Sequence, residues 1–375
     1  MVDISHINYV RPSSDLATAQ VGAGTRLGAV YSILGQYGRS WIAGICPSVG
    51  LGGYLAVGGY NMQMRAYGLA VDWVTSAKVV LADGTLITVS PTENADLWFA
   101  MRAGGTYGFI VEATLKTTII PRSAMVHMAF NSHSTRYESL QKYMDWAPKQ
   151  DPLFNSQLNL YNNRTNVLGW YIGKSVPELT AIVKESGLMD IAGAEIKITG
   201  NCSTDNSRNF WLYTQDTCTD DATAHAAFDT WFNVIPDGLA PLPGITSYGF
   251  DDVPALPNET KAHAWPRFAL INKTYFQTKS QPLSAADVQY ISDKSGELPD
   301  ELEFWTEVTS FNMSAPDTTS AFAWQKEATV LFRFEVAKSS NAAMMATGQK
   351  FMDDLDSYLI PRIGFVSLVL FAARS

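Results

Sequence analysis

The sequence predicts an α+β chain in two parts, the first ending near residue 121. Three observations carry this reading. In the first part short β-rich runs alternate with a few helical stretches, and two of those runs hinge on Asp83-Gly84, a strong two-residue hairpin signal. After Pro121 the runs lengthen and interleave with amphipathic helices at irregular spacing, the pattern of an antiparallel sheet flanked by helices. The chain has 375 residues, 46% hydrophobic and 17% charged, enough for two cores of ordinary globular composition.

Taken in order, Thr18 to Val21 reads as a strand that ends in Gly22-Ala23-Gly24. Thr25 is placed to cap a helix in which Leu27, Val30, Tyr31 and Leu34 recur at helical spacing, with Gly38 ending it. Gly44 to Gly59 reads as a glycine-dense loop. Lys78 to Val89 is the hairpin, Asn94 to Arg102 a helix stopped by Ala103-Gly104-Gly105, and Gly108 to Thr117 another strand. In the second part Met125–Phe130, Gln157–Tyr161, Arg267–Tyr275 and Thr329–Val336 read as strands. Ser175-Val176-Pro177-Glu178 reads as a capping box with proline in the first turn of a helix. No internal repeat or low-complexity tract interrupts this order, so the expected domains are 1–121 and 122–375.

Charge and composition exclude some partners. A net charge of -9 and a pI near 5.1 argue against a nucleic-acid partner. No apolar run reaches the ~20 residues that span a bilayer, so no membrane partner is expected. Phe365 to Ala373 reads as a buried strand. No basic leader follows Met1, which favours the cytoplasm. Sequons at Asn163, Asn201, Asn258, Asn272 and Asn312 pull toward secretion. So does the pair Cys202 and Cys218, whose spacing and polar intervening loop predict a disulfide. No metal site is read from the sequence.

One stretch carries chemistry. Between Asp15 and Asp72 the chain has no acidic residue, although it is net acidic overall. That stretch holds Arg26, Arg39 and Arg65 and is dense in glycine. Glycines let a backbone approach a ligand, and missing carboxylates remove repulsion toward phosphate; a tight buried loop with no ligand is the alternative. A nicotinamide-type fingerprint fails here. Gly22-x-Gly24-x-x-x-Gly28 has one residue too many, and the acidic residue expected ~20 positions later is missing. These glycines read instead as a tight strand-to-helix turn.

The runs VGAGTRLGAVY from Val21 and GICPSVGLGGYLAVGG from Gly44 resemble the berberine-bridge-enzyme group of flavoproteins. So do YGLAVDWV from Tyr67, VVLADG from Val79, and NADLWFAMR from Asn94 with YGFIV from Tyr107. The five blocks fall in order over residues 17 to 117. The chain is thereby identified as similar to the PCMH-type FAD-binding, vanillyl-alcohol-oxidase-type enzymes, with its first part matching the second subdomain of their FAD-binding domain. Downstream, the resemblance to the family's substrate domain is loose.

The resemblance implies FAD as cofactor and a small-molecule alcohol or carbohydrate as substrate, oxidised by hydride transfer to flavin. It implies that Cys46, beside Pro47, bonds to the flavin ring, with a small buried thiol as the alternative role. It implies that Gly50, Gly52, Gly53, Tyr54, Gly58 and Gly59 approach the flavin, and that Gly108 and Ile110 lie along the adenosine end. Trp170, Tyr171, Trp211, Trp231, Trp305 and Trp324 are apt platforms for sugar rings or core residues. The family pattern also has an earlier segment with a flavin-bonding histidine and a later one with a catalytic tyrosine. None of His6, His127, His133, His225 and His263 sits in such a context, and no motif selects a catalytic base. The numbered chain is therefore expected not to be a competent flavoenzyme by itself. The second reading is a non-catalytic remnant or an incomplete gene model that keeps the fold without flavin. The family also implies a secreted glycoprotein.

Overall fold

A computed structural model describes residues 4, 7–44, 49–105, 107–202, 270–302, 304–314, 319–337 and 341–363. Among these, one compact unit takes the chain up to Ser123 together with Asn201, Cys202 and residues 319–323. The other takes Ala124–Gly200 and the remaining described residues. The first break falls two residues past the expected boundary, and the return of 319–323 to the first unit makes the second discontinuous in sequence.

The first unit is built on β1 (Val10–Pro12), β2 (Thr18–Gly22), β3 (Val74–Val80), β4 (Leu86–Val89) and β5 (Phe109–Lys116). They form an antiparallel sheet in the order β1-β2-β5-β3-β4. The β3–β4 hairpin closes as Asp83-Gly84 predicts, with Gly84 at φ 85°. Among the described residues, helices α1 (Leu27–Gln36), α2 (Leu51–Ala56), α3 (Met64–Tyr67) and α4 (Ala95–Met101) also belong to this unit.

Two local expectations need correction. Thr25 does not cap α1: Arg26 occupies that position without a side-chain bond, and the Thr25 hydroxyl donates to the Tyr9 carbonyl at 3.3 Å. The run Gly44–Gly59 is not all loop, because α2 lies inside it. Leu51 and Leu55, one helical turn apart, are buried, and the Leu51 and Gly52 N–H groups donate to Thr25 and Ala23 carbonyls. Tertiary contacts here outweigh two glycines inside a helix, each worth about 1 kcal/mol against alanine.

The second unit is the antiparallel, helix-flanked sheet that the sequence predicts. Its strands are β6 (Ser123–Phe130), β7 (Phe154–Tyr161), β8 (Thr165–Tyr171), β9 (Glu195–Cys202), β10 (Leu270–Thr278), β11 (Phe304–Ser310) and β12 (Ala328–Ala337). The order is β10-β12-β11-β7-β8-β6-β9. Helices α5 (Arg136–Trp146), α6 (Val176–Glu185), α7 (Ala285–Gly296) and α8 (Ala342–Ile363) bury Leu140, Leu179, Ile291 and Leu355 in one cluster with Val126, Leu158, Val308 and Phe332. Those sheet residues share one face by register, so the helices cover that face. The capping box of α6 forms: Glu178 accepts from the Ser175 N–H at 2.9 Å and from its hydroxyl at 2.7 Å. The Ser175 bonds and then Lys174 lower the Glu178 carboxyl to about 2.

Among the described residues, no helix is long and apolar enough to cross a membrane. Cys202 is fully buried and disulfide-bonded. Cys218, its expected partner, and Phe365–Ala373 lie outside the described residues, as do His6, His225 and His263.

Candidate functional site

Cys46 and Pro47 lie outside the described residues, but both ends of their loop are fixed. On one side the Tyr31 hydroxyl donates to the Gly44 carbonyl. On the other, Val49 accepts from Leu27 N–H at 2.9 Å, and Gly50 bridges to Arg26. Gly44 is thus held by a side chain from the middle of α1, and Val49 and Gly50 by backbone pairing at its start.

The glycines expected near the cofactor separate into two kinds. Gly52, Gly58, Gly59 and Gly108 have reasons within the chain to be glycine. A Cβ on Gly52 would sit 3.3 Å from the Ala23 carbonyl oxygen, and one on Gly108 would sit 2.5 Å from the Val79 side chain. Gly58 and Gly59 have φ 104° and 77°, where other residues are strained, and a Cβ on Gly59 would lie 2.5 Å from Ala70. Gly22 and Gly24 are of this kind too. Their Cβ positions fall about on top of the Ile7 and Ile4 carbonyls, at 2.1 and 2.0 Å, so the chain's own early segment covers them.

Gly50 and Gly53 are different. Both are exposed, and no described residue lies within 4 Å of where a Cβ would stand. Gly50 has an ordinary φ of -76°, and Gly53 lies inside α2 with no left-handed φ. Among the described residues, neither conformation nor packing asks for glycine at these positions. The open space beside them is what a flat group laid against the backbone needs, so these residues fit a bound flavin.

The surrounding turn is rigid. Asn61, fully buried, donates from Nδ2 to the Gly59 and Gly68 carbonyls at 3.3 and 3.1 Å, and its Oδ1 accepts from Gln63 N–H at 2.8 Å. Ala70 and Val71 N–H groups donate to Gly59 and Gly58 at 3.0 and 3.2 Å. Tyr54 acts as a strut: its hydroxyl donates to the Tyr60 carbonyl at 2.7 Å, and its ring fills the space a Cβ on Gly59 would occupy, 2.9 Å away. Ile110 is buried in β5, paired with Val79. Next to the expected helix stop, Ala103 adopts φ 84°, a strained conformation that sequence reading did not anticipate.

In the second unit, the sheet face opposite the helices is polar although much of it is buried. Asn155, Gln157 and Asn159 on β7, Thr309 on β11 and Glu335 on β12 share this face by register and are all buried. Trp305 pairs with Glu335 on one side and Tyr161 on the other, and both aromatics are half-buried. Of the other expected aromatic platforms, Trp170 is buried on this face and Tyr171 in the core. Trp324 stacks on Phe276, with ring centroids 5.6 Å apart, and Trp211 and Trp231 lie outside the described residues.

Arg333 is the ionic centre of this face, 2.5 Å from Glu307 and 3.2 Å from Glu335. Burial pushes the Glu335 carboxyl up to about 7, and Glu307 adds to the shift; Arg333 and a Trp305 hydrogen bond oppose it. A carboxyl that exchanges its proton near neutrality can serve as a general base. The sequence carried half of this signal. Arg333 and Glu335 alternate with Phe332, Phe334 and Val336, which marks a two-faced strand, but only the fold shows that the charged face is buried.

A model of the FAD binding domain matches residues 1–90. The FAD-linked oxidoreductase pytB of Aspergillus terreus is 42% identical over 98% of this chain, which spans 46% of pytB. The FAD-linked oxidoreductase pynB of Aspergillus niger is 41% identical, again over 98% of this chain, which spans 68% of pynB. A variant of the BBE-like 1 protein of Physcomitrella patens shares the fold with a TM-score of 0.75 at 18% identity, covering 96% of this chain and 70% of its own. Each of the three is aligned over nearly all of this chain, across both units. The chain belongs to the PCMH-type, berberine-bridge-enzyme-like family of FAD-linked oxidoreductases, whose cofactor is FAD.

Proposed function

We propose that the chain works as an FAD-dependent oxidoreductase on a small alcohol or the hemiacetal of a sugar. The open backbone at Gly50 and Gly53, which no described residue explains, carries this reading. FAD, when bound, supplies the two-electron acceptor that takes hydride from the substrate carbon. Gly50 and Gly53 would hold its ring by close approach, with the 58–59 turn behind them. Within the second unit, Glu335 would take the proton of a substrate hydroxyl on a carboxylate oxygen. Arg333 fixes the orientation of Glu335 and remains paired with Glu307 when Glu335 is neutral. Trp305 offers an aromatic ring beside Glu335, suited to the C–H face of a sugar, whereas the Tyr161 ring next to it carries the Arg164 guanidinium 4.4 Å from its centroid.

The test is to add FAD to the full chain, remove the excess by gel filtration and record the spectrum over roughly 350–500 nm, where a bound flavin absorbs. Retained absorption that bleaches anaerobically on adding an oligosaccharide or alcohol is the result this proposal expects, against the sequence expectation that the chain is not a competent flavoenzyme by itself. A chain that stays colourless overturns the proposal and favours the reading that it keeps the fold without flavin.

We also propose that the protein is secreted and glycosylated, with Asn163 as the acceptor. Asn163 is exposed in the turn between β7 and β8. Asn312 spends its amide on the Pro148 carbonyl at 3.1 Å, Asn201 accepts from Arg122 at 2.8 Å, and Asn272 lies within β10. Asn258 lies outside the described residues. Peptide mass spectrometry after expression in a secretory host should find glycan on Asn163 and none on Asn312. The reverse distribution would contradict the proposal.

A further inference from the structure

We propose that residues Thr319–Ala323 act as a clamp on two glycine-rich turns, 58–59 and 103–105, and that Phe322 and Arg102 are positioning residues for cofactor retention. The cofactor part rests on the function proposed above. The clamp part rests on contacts within the first unit alone.

The contacts begin at Arg102, which is 6% exposed. Its Nη2 donates to the carbonyl of Thr319 and, at 2.8 Å, to the Thr319 hydroxyl. The Ala321 N–H donates back to the Arg102 carbonyl at 2.9 Å. The guanidinium also lies over the Trp98 ring, 4.7 Å from its centroid. Side chain and backbone of one residue thus hold the clamp at two points.

The clamp then meets both turns. The Phe322 ring lies 2.8 and 3.3 Å from where a Cβ on Gly58 would be, and the Ala103 methyl lies 3.5 Å from the same point. A Cβ on Gly104 would lie 3.4 Å from the Ala321 methyl, and one on Gly105 would lie 3.1 Å from the Ala56 carbonyl. Ala103 and Phe322 therefore converge on Gly58, at the end of the turn expected to back the flavin, while Ala321 meets Gly104.

Strain gives this packing a purpose. Gly58, Ala103 and Gly105 have φ 104°, 84° and 65°. For glycine the left-handed region is easy, but for Ala103 it is not, and such a conformation persists only when its surroundings fix it. Arg102 and Ala321, bonded through the residue before the strained one, supply that constraint. A segment that joins two strands without contacting these turns would leave Ala103 free to relax and Gly58 free to change its turn.

The test uses the full chain with Phe322→Ala, at a half-buried position, Thr319→Val, at an exposed one, and Phe322→Leu as a conservative rescue. Two readouts separate the clamp from the cofactor. Without FAD, amide exchange is followed at Gly58 and Gly104, whose N–H groups donate to Leu55 and Ala100 at 3.2 and 2.8 Å. With FAD, the dissociation constant is measured by quenching of flavin fluorescence. Phe322→Ala should speed exchange at both amides by about tenfold, Thr319→Val by less, and Phe322→Leu should restore most of the protection. The dissociation constant should follow the same order, with about a tenfold loss for Phe322→Ala. Unchanged exchange in Phe322→Ala and Thr319→Val overturns the clamp, whatever the flavin does. Faster exchange with unchanged affinity overturns the positioning role. A wild-type chain that binds no FAD counts against the proposed function and the positioning role, and the clamp is then decided by exchange alone.

Discussion

Replacing Glu335 with glutamine should make the protein more stable at pH 8 and nearly inactive at every pH. The stability half follows from linkage. The Glu335 carboxyl is held near 7 in the fold, chiefly by burial, against 4.5 for the free group. Below 4.5 both states are protonated and the site contributes no pH dependence. Between 4.5 and 7 the unfolded chain has lost the proton that the folded chain keeps, so stability falls as pH rises, by about 1.4 kcal/mol per pH unit. Above 7 the full penalty is present, at most about 3 kcal/mol. Glutamine keeps the shape without the ionisation, and Arg333 retains Glu307 as its partner. The variant should therefore match the wild type near pH 4 and exceed it by up to about 3 kcal/mol at pH 8, measured by urea denaturation. The activity half follows from the proposed base: turnover should drop by about 10²–10⁴-fold, and the wild-type rate should rise through pH 7 while any residual rate of the variant does not. Equal stability gains at pH 4 and pH 8 would refute the buried-carboxyl account. Undiminished turnover would remove Glu335 from the chemistry.

Which features could be read from the sequence depended on whether their cause was local. The β3–β4 hairpin was legible because Asp83-Gly84 sets its own turn, and α6 because Ser175 and Glu178 cap each other three residues apart. The buried polar face of the second sheet was half legible, since alternation shows that a strand has two faces and not how each is covered. Thr25 was misread because its hydroxyl has a better partner in Tyr9, far back in the sequence. The helix α2 was hidden by its glycines, since its stability comes from Leu51 and Leu55 and from bonds to Thr25 and Ala23. The reason for Gly22 and Gly24 was also non-local: they are pressed against Ile7 and Ile4, a contact the strand-to-helix turn does not reveal. The same holds for residues 319–323, where no pattern in Thr-Ser-Ala-Phe-Ala marks a docking on Arg102.

Substituting leucine for Gly53 should leave the chain folded, slightly stabilise it, and remove its capacity to hold FAD. Gly53 sits in the middle of α2, is exposed, and has no described residue within 4 Å of its Cβ position, so a side chain clashes with none of them. Leucine is a far better helix former than glycine, which predicts a gain of about 0.5–1 kcal/mol in the absence of ligand. The same side chain would fill the space through which a flat ring approaches the backbone. Displacing such a ring by a few ångströms removes its close contacts, and a loss of at least about 100-fold in affinity, near 2.7 kcal/mol, is expected. Gly52, its neighbour, provides the contrast. A Cβ there would press on Ala23 at 3.3 Å, so Gly52→Leu should lose flavin and stability together. Melting curves with and without excess FAD separate the two cases. Wild type should melt higher with FAD, Gly53→Leu should melt at the same temperature with or without it, and Gly52→Leu should melt low in both. If Gly53→Leu still gains thermal stability from FAD, the open face beside α2 is not where the flavin lies.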